Sequence, residues 1–293
     1  MNRVEILFGG EPYTKFKYPA GEMQVRLTEE TTHRVAAAHE TIVVARITSL
    51  EQIIELCLLC DAVRSTAPAK SALSLILPYL PFARADRRFT DGDCFGLHVF
   101  AKLLSTLDAQ ITTLDVHSAA AQQEFRGLIN VSALPFIRDA IGRFAQQHKS
   151  GSVTVLFPDE GARKRYQLPG DIDGLSIHVL HCAKKRNPLT GKLNAFAVPT
   201  LAEFGNMPNP VIIVDDICDG GGTFVGIADE LKDYGLTLGL YVTHGIFAKG
   251  LEHLQKRFSS IYTTDSFCDR ESTAFLHVIN SLPLLTTPSV MAT

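Results

Sequence analysis

Residues 211–224 read VIIVDDICDGGGTF, and this stretch decides the fold. Four β-branched apolar residues in a row suit a strand buried on both faces, as the centre of a parallel sheet requires. The strand is expected to end in Asp215 and Asp216. Asp219, Gly220, Gly221, Gly222 and Thr223 then lead into a helix expected to start near Val225. Ligands of α/β sheets bind at such strand carboxyl ends. Glycines let backbone N–H groups approach phosphate oxygens with no Cβ in the way, and the helix terminus adds its positive dipole. No lysine follows the glycines, so the loop is not of the Walker type. It suits a phosphorylated ribose, with Asp215 and Asp216 placed for sugar hydroxyls or magnesium.

The same alternation extends outward in both directions. Residues 41–46 (TIVVAR) and 73–77 (LSLIL) read as buried strands separated by an amphipathic helix over 49–65. A helix over 97–107, a strand over 111–116 and a helix over 135–147 follow, and a first domain is expected to close there, at 1–147. The pattern restarts with strands at 153–157, 177–181 and 211–214, a helix at 226–234, and strands at 238–243 and 260–264, giving a second domain, 148–293. The expected fold is therefore α/β, two doubly wound domains with mainly parallel sheets.

Composition narrows the function classes. The 293 residues are 46% hydrophobic and 20% charged with a net charge of −3, which excludes a disordered chain and leaves no cationic excess for dedicated nucleic-acid binding. Charged residues interrupt the first twenty positions and no apolar run reaches the roughly 18 residues a bilayer span needs, so a cytoplasmic, non-membrane protein is expected. Six cysteines are sparse for this length. Cys57 and Cys60 form a CxxC inside IIELCLLCDAV, where helical spacing of apolar residues reads as core packing rather than a metal site.

Five further segments carry a resemblance. ILPYLPFARADRR (76–88), DVHSAAAQQEF (115–125), FPDEGARKR (157–165), AKKR (183–186) and YVTHGIFAKG (241–250), with the acid–glycine loop, resemble the ribose-phosphate pyrophosphokinase family in family order. The resemblance implies two phosphoribosyltransferase-like domains and a homo-oligomer. It also implies Mg2+-dependent transfer of the β,γ-pyrophosphoryl group of ATP to the C1 hydroxyl of ribose 5-phosphate. By matched position it makes Lys184 and Arg186 catalytic, in a mobile basic loop. Tyr18, Glu22, Arg84, Asp86 and His117 become ATP contacts, His117 and Asp159 metal positions, and residues 215, 216 and 219–223 the ribose-phosphate site.

These roles also have chemical sense. Fixed cations stabilise a moving pyrophosphoryl group, a guanidinium fork matches phosphate, and a carboxylate suits a hard cation. The chain departs from the family pattern at Ala20, Ala85 and Gly220. Glycine at 220 removes a side chain that would touch a terminal 5-phosphate. That suggests an alternative acceptor whose phosphate is esterified onward, such as ADP-ribose, and with it a place in NAD metabolism. Two other readings are a non-catalytic member that regulates a true synthetase, and a phosphoribosyltransferase; the second gives no reason for the basic loop or for PYLPFARADRR.

Overall fold

The computed structural model describes residues 3–116, 119–186, 193–205 and 210–287, with 184–186 and 193–196 described by their backbone. The chain divides into two compact units, one of residues 1–132, 266–268 and 281–293, the other of residues 133–265 and 269–280.

The first unit runs β1 (Arg3–Leu7), β2 (Tyr13–Lys17), β3 (Met23–Leu27), α1 (Glu29–Ala36), β4 (Glu40–Val44), α2 (Leu50–Thr66), β5 (Ala72–Leu77), α3 (Gly96–Ser105), β6 (Gln110–Leu114), α4 (Ala119–Glu124) and β7 (Ile129–Val131). Its sheet is parallel throughout in the order β1-β4-β5-β6-β7. Helix α2 starts at a capping box: Ser49 accepts from the Gln52 N–H and Gln52 reaches back to the Ser49 N–H, so two otherwise orphaned donors are satisfied. Its buried face carries Ile53, Leu56, Leu59, Cys60 and Val63 into the core. Burial pushes the Cys60 thiol up to about 12, the behaviour of a packed side chain and not of a metal ligand.

An element absent from the sequence reading is the antiparallel hairpin of β2 and β3. Glu55 of α2, almost wholly buried, ties it down by accepting from the Tyr13 hydroxyl at 2.7 Å and the Lys15 ammonium at 2.9 Å. A buried carboxylate persists only when paired in this way.

The second unit continues with α5 (Leu134–Gln147), β8 (Ser152–Phe157), α6 (Glu160–Arg165), β9 (Asp171–Ile172), β10 (Leu175–His181), β11 (Ala183–Arg186), β12 (Leu193–Ala197), β13 (Val211–Cys218), α7 (Gly222–Glu230), β14 (Leu238–Gly245), α8 (Glu252–Gln255), β15 (Ser260–Thr264) and β16 (Leu276–Ile279). The last helix, α9 (Leu282–Leu285), returns to the first unit. The second sheet has the order β16-β15-β14-β13-β8-β10-β9, parallel except for β9, while β11 and β12 form a separate antiparallel arm.

The first unit ends at 132, not 147. Helix α5 was expected to close the first domain, yet its apolar face, with Phe136, Ile137, Ala140, Ile141 and Phe144, belongs to the second sheet. A Cβ on Gly239 of β14 would lie 2.6 Å from the Phe144 ring, so glycine there lets the aromatic ring seat directly on the strand. The Tyr262 hydroxyl donates to Gln147 at 3.0 Å. Periodicity locates an amphipathic helix but does not say which sheet receives it. No helix among the described residues is long and apolar enough to cross a membrane.

Candidate active site

Strand order in the second unit places the site. From β8 the chain crosses to β10 on one side, then returns to β13 on the other, so the order reverses between β8 and β13, where a crevice opens at the carboxyl ends of an α/β sheet. The pairing of Ile213 with Leu156 fixes the register there. Asp159 follows β8 and the acid–glycine segment lies on and after β13, so both meet at this point. Sequence distance between them is more than fifty residues, which the sheet register removes.

Strand β13 runs on to Cys218 and does not stop at Asp215, so both acids sit within it, and α7 begins at Gly222, three residues earlier than expected. Parallel pairing of Ile217 and Cys218 with His244 and Gly245 extends the strand past the charged pair. Asp215 accepts the Asp216 backbone N–H at 2.9 Å. Burial, the neighbouring Asp216 and the nearby Asp159 all raise the Asp215 carboxyl well above the usual carboxylate range. Asp216 is buried and takes an ion pair from Arg165 of α6 at 3.2 Å. Asp159 caps α6, accepting the Ala162 N–H at 2.9 Å.

Gly221 takes a left-handed φ of 74° and caps α7 without a side chain. A Cβ there would fall 2.7 Å from Nε2 of His253, so the turn excludes other residues on two counts. The intrahelical bonds begin with Val225 N–H to Gly221 C=O. The N–H groups of residues 222–224 are therefore the orphan donors of the first turn, arrayed as in an anion-binding helix terminus. The loop is braced from the side: Ile246 and Phe247 donate to the Cys218 carbonyl, each at 3.0 Å, and Ala248 donates to the Asp219 carbonyl at 3.0 Å.

Gly220 is not an open gap. On the side where a Cβ would point, the Cε, Cδ and Cγ atoms of Lys249 lie at 3.4, 3.6 and 3.8 Å. The space beside Gly220 is therefore bounded by the Lys249 side chain.

The basic arm leaves the same end of the sheet. Cys182 N–H donates to the Phe157 carbonyl at 2.9 Å, just before Asp159, and β11 with Lys184 and Arg186 starts at the next residue. These residues were expected in a loop; their backbone forms a strand in which Lys184 pairs with Phe196. In the first unit Tyr18 and Glu22 close the exposed tip of the β2–β3 hairpin, Tyr18 N–H donating to the Glu22 carbonyl at 2.8 Å. Arg84 is exposed after β5, whereas Asp86 is buried and held by both forks of Arg87, at 2.8 and 2.9 Å. His117 lies outside the described residues.

The sequence reading missed Arg165, Lys249 and His253. Arg165 stands at the end of FPDEGARKR, and the signal for it was physical: a buried pair of acids requires a cation. Among the described residues no three His, Cys, Asp or Glu side chains form a ready metal cage. Oxygen donors at Asp159 nevertheless fit Mg2+, which takes one or two protein carboxylates and completes its shell with phosphate and water.

The raised Asp215 carboxyl has a measurable consequence. A group whose folded-state value lies above its unfolded value stabilises the fold fully at low pH and loses that contribution as pH rises through the folded value. Asp215→Asn is therefore expected to stabilise the ligand-free protein at pH 7 to 8, with the gain shrinking as pH falls toward 4, followed by urea denaturation. Equal stability of the two proteins across that range would remove the argument.

An acidic strand, a left-handed glycine and an uncapped helix terminus at the switch point of an α/β sheet make up the arrangement of an anion-binding site. No family model matches the sequence. Ribose-phosphate pyrophosphokinase of Thermococcus kodakarensis is 31% identical over 221 residues, 74% of this chain and 73% of that protein. The enzyme of the same name from Pyrococcus abyssi is 28% identical over 256 residues, 85% and 82% of the two chains. The crystal structure of phosphoribosylpyrophosphate synthetase from Mycobacterium smegmatis superposes with a TM-score of 0.78 over 100% of this chain and 98% of that one, at 21% identity. The chain belongs to the ribose-phosphate pyrophosphokinase family and is a transferase.

Proposed function

We propose that this protein transfers the β,γ-pyrophosphoryl group of ATP to the C1 hydroxyl of ribose 5-phosphate, forming phosphoribosyl pyrophosphate and AMP. The observation that carries the reading is the rim at the β8–β13 switch point, where buried acids and the uncapped first turn of α7 stand side by side. The N–H groups after Gly221 bind the 5-phosphate. Asp215 and Asp216 accept the ribose hydroxyls, Asp216 being oriented by Arg165. This fixes the C1 hydroxyl for in-line attack on the β-phosphorus. The C1–O–P bond forms, the bond from β-phosphorus to the α–β bridging oxygen breaks, and AMP leaves with that electron pair as the hydroxyl proton is released.

Lys184 and Arg186 neutralise the charge that develops on the moving group, the main task of protein residues in such transfers. Asp159 would hold Mg2+, with His117 as the second position the family resemblance implies, and the ion would supply positive charge to the phosphate oxygens. Tyr18, Glu22, Arg84 and Asp86 serve ATP, Asp86 by fixing Arg87. The hairpin tip carrying Tyr18 is exposed, as suits a contact completed by a second copy in a homo-oligomer, and six free cysteines suit a reducing cytoplasm.

The test is AMP release from ATP and Mg2+ in the presence of ribose 5-phosphate or ADP-ribose. AMP formation with ribose 5-phosphate is expected; turnover with ADP-ribose alone would replace the acceptor, and no sugar-dependent AMP from a purified homogeneous sample would overturn the enzyme reading.

A further inference from the structure

The rim around the proposed 5-phosphate site is acidic. Asp159, Asp215, Asp216 and Asp219 all belong to it, and Arg165 is engaged by Asp216. A phosphate monoester brings close to two negative charges at neutral pH, so repulsion from these carboxylates opposes its entry. Backbone dipoles at the α7 terminus offset part of this, about half an elementary charge. A full positive charge is needed beside the loop.

Lys249 is placed to supply it. Its methylene chain crosses Gly220 with Cε 3.4 Å from the position a Cβ would occupy, and the ammonium is one bond further along. Hydrogen bonds from residues 246–248 to the carbonyls of Cys218 and Asp219 hold the segment carrying Lys249 against the loop. The side chain is exposed, and it makes no ion pair among the described residues. A Cβ at 220 would be in van der Waals contact with this stem, so the lysine lies directly alongside the loop.

We infer that Lys249 is an acceptor-specificity residue: its ammonium seats a terminal phosphate monoester on the 219–223 loop and disfavours a phosphodiester there. The monoester carries the second charge that Lys249 matches, and a diester lacks it. This rests on the proposed function.

Lys249→Ala, Lys249→Arg and the wild type are compared by steady-state kinetics with ribose 5-phosphate, by kinetics in ATP, and by calorimetric titration of ribose 5-phosphate without ATP. Removing a charge-assisted contact is expected to raise both the KM and the dissociation constant for ribose 5-phosphate about tenfold. The kcat and the KM for ATP stay within about twofold, and arginine restores most of the affinity. The preference for ribose 5-phosphate over ADP-ribose falls by a similar factor. An unchanged ribose 5-phosphate affinity in an active Lys249→Ala protein overturns the role of Lys249 and leaves the enzyme reading standing. A wild type that neither binds nor turns over ribose 5-phosphate overturns both.

Discussion

Lys184→Ala is expected to lower kcat by about 10²- to 10³-fold, the range seen when one preorganised charge-stabilising donor is removed from a transfer site. ATP binding, measured by calorimetry, is expected to change by less than about threefold. A cation that meets the pyrophosphoryl group chiefly while it moves contributes to the transition state and little to the ground state. The position supports this role. Strand β11 begins one residue after Cys182, whose N–H is bonded to the carbonyl of Phe157, so the arm emerges beside Asp159 at the ligand end of the sheet. Its pairing with β12, Lys184 opposite Phe196, gives residue 184 a defined backbone. Equal losses in turnover and in ATP affinity would mean that Lys184 grips the ground state instead.

Asp216→Ala is expected to lower the unfolding free energy by about 3 kcal/mol and to abolish acceptor binding. The carboxylate is buried, and removing it breaks the ion pair it makes with the largely covered Arg165 guanidinium, the situation in which losing one member of an internal pair costs most. Urea denaturation monitored by circular dichroism reads the stability. The double variant Arg165→Met, Asp216→Leu is expected to recover most of it, because a packed apolar pair carries no uncompensated charge. Recovery of the fold without recovery of ribose 5-phosphate binding would separate the structural from the binding role of Asp216. A single variant as stable as the wild type would show that Arg165 finds another partner.

Much of this site is legible in the residues because its local chemistry is local in sequence. The acids, the glycines and the helix start all fall within residues 211–224, and a glycine run between an apolar strand and a helix has few other uses. Tyr13, Lys15 and Glu55 show the opposite case. Their network holds a hairpin that has no strong alternating pattern, since β2 exposes four of its five residues, and pairing with a helix some forty residues away is what secures it.

The sequence by itself determined the α/β class, the acid–glycine loop and the family, since these follow from periodicity, glycine placement and ordered motifs. Tertiary structure alone decided that α5 serves the second sheet, that Arg165 answers Asp216, and that Lys249 lies across Gly220. The physical reason is that side-chain partnership depends on strand order and register, which bring residues 159, 165, 216 and 249 to one rim although no local pattern links them.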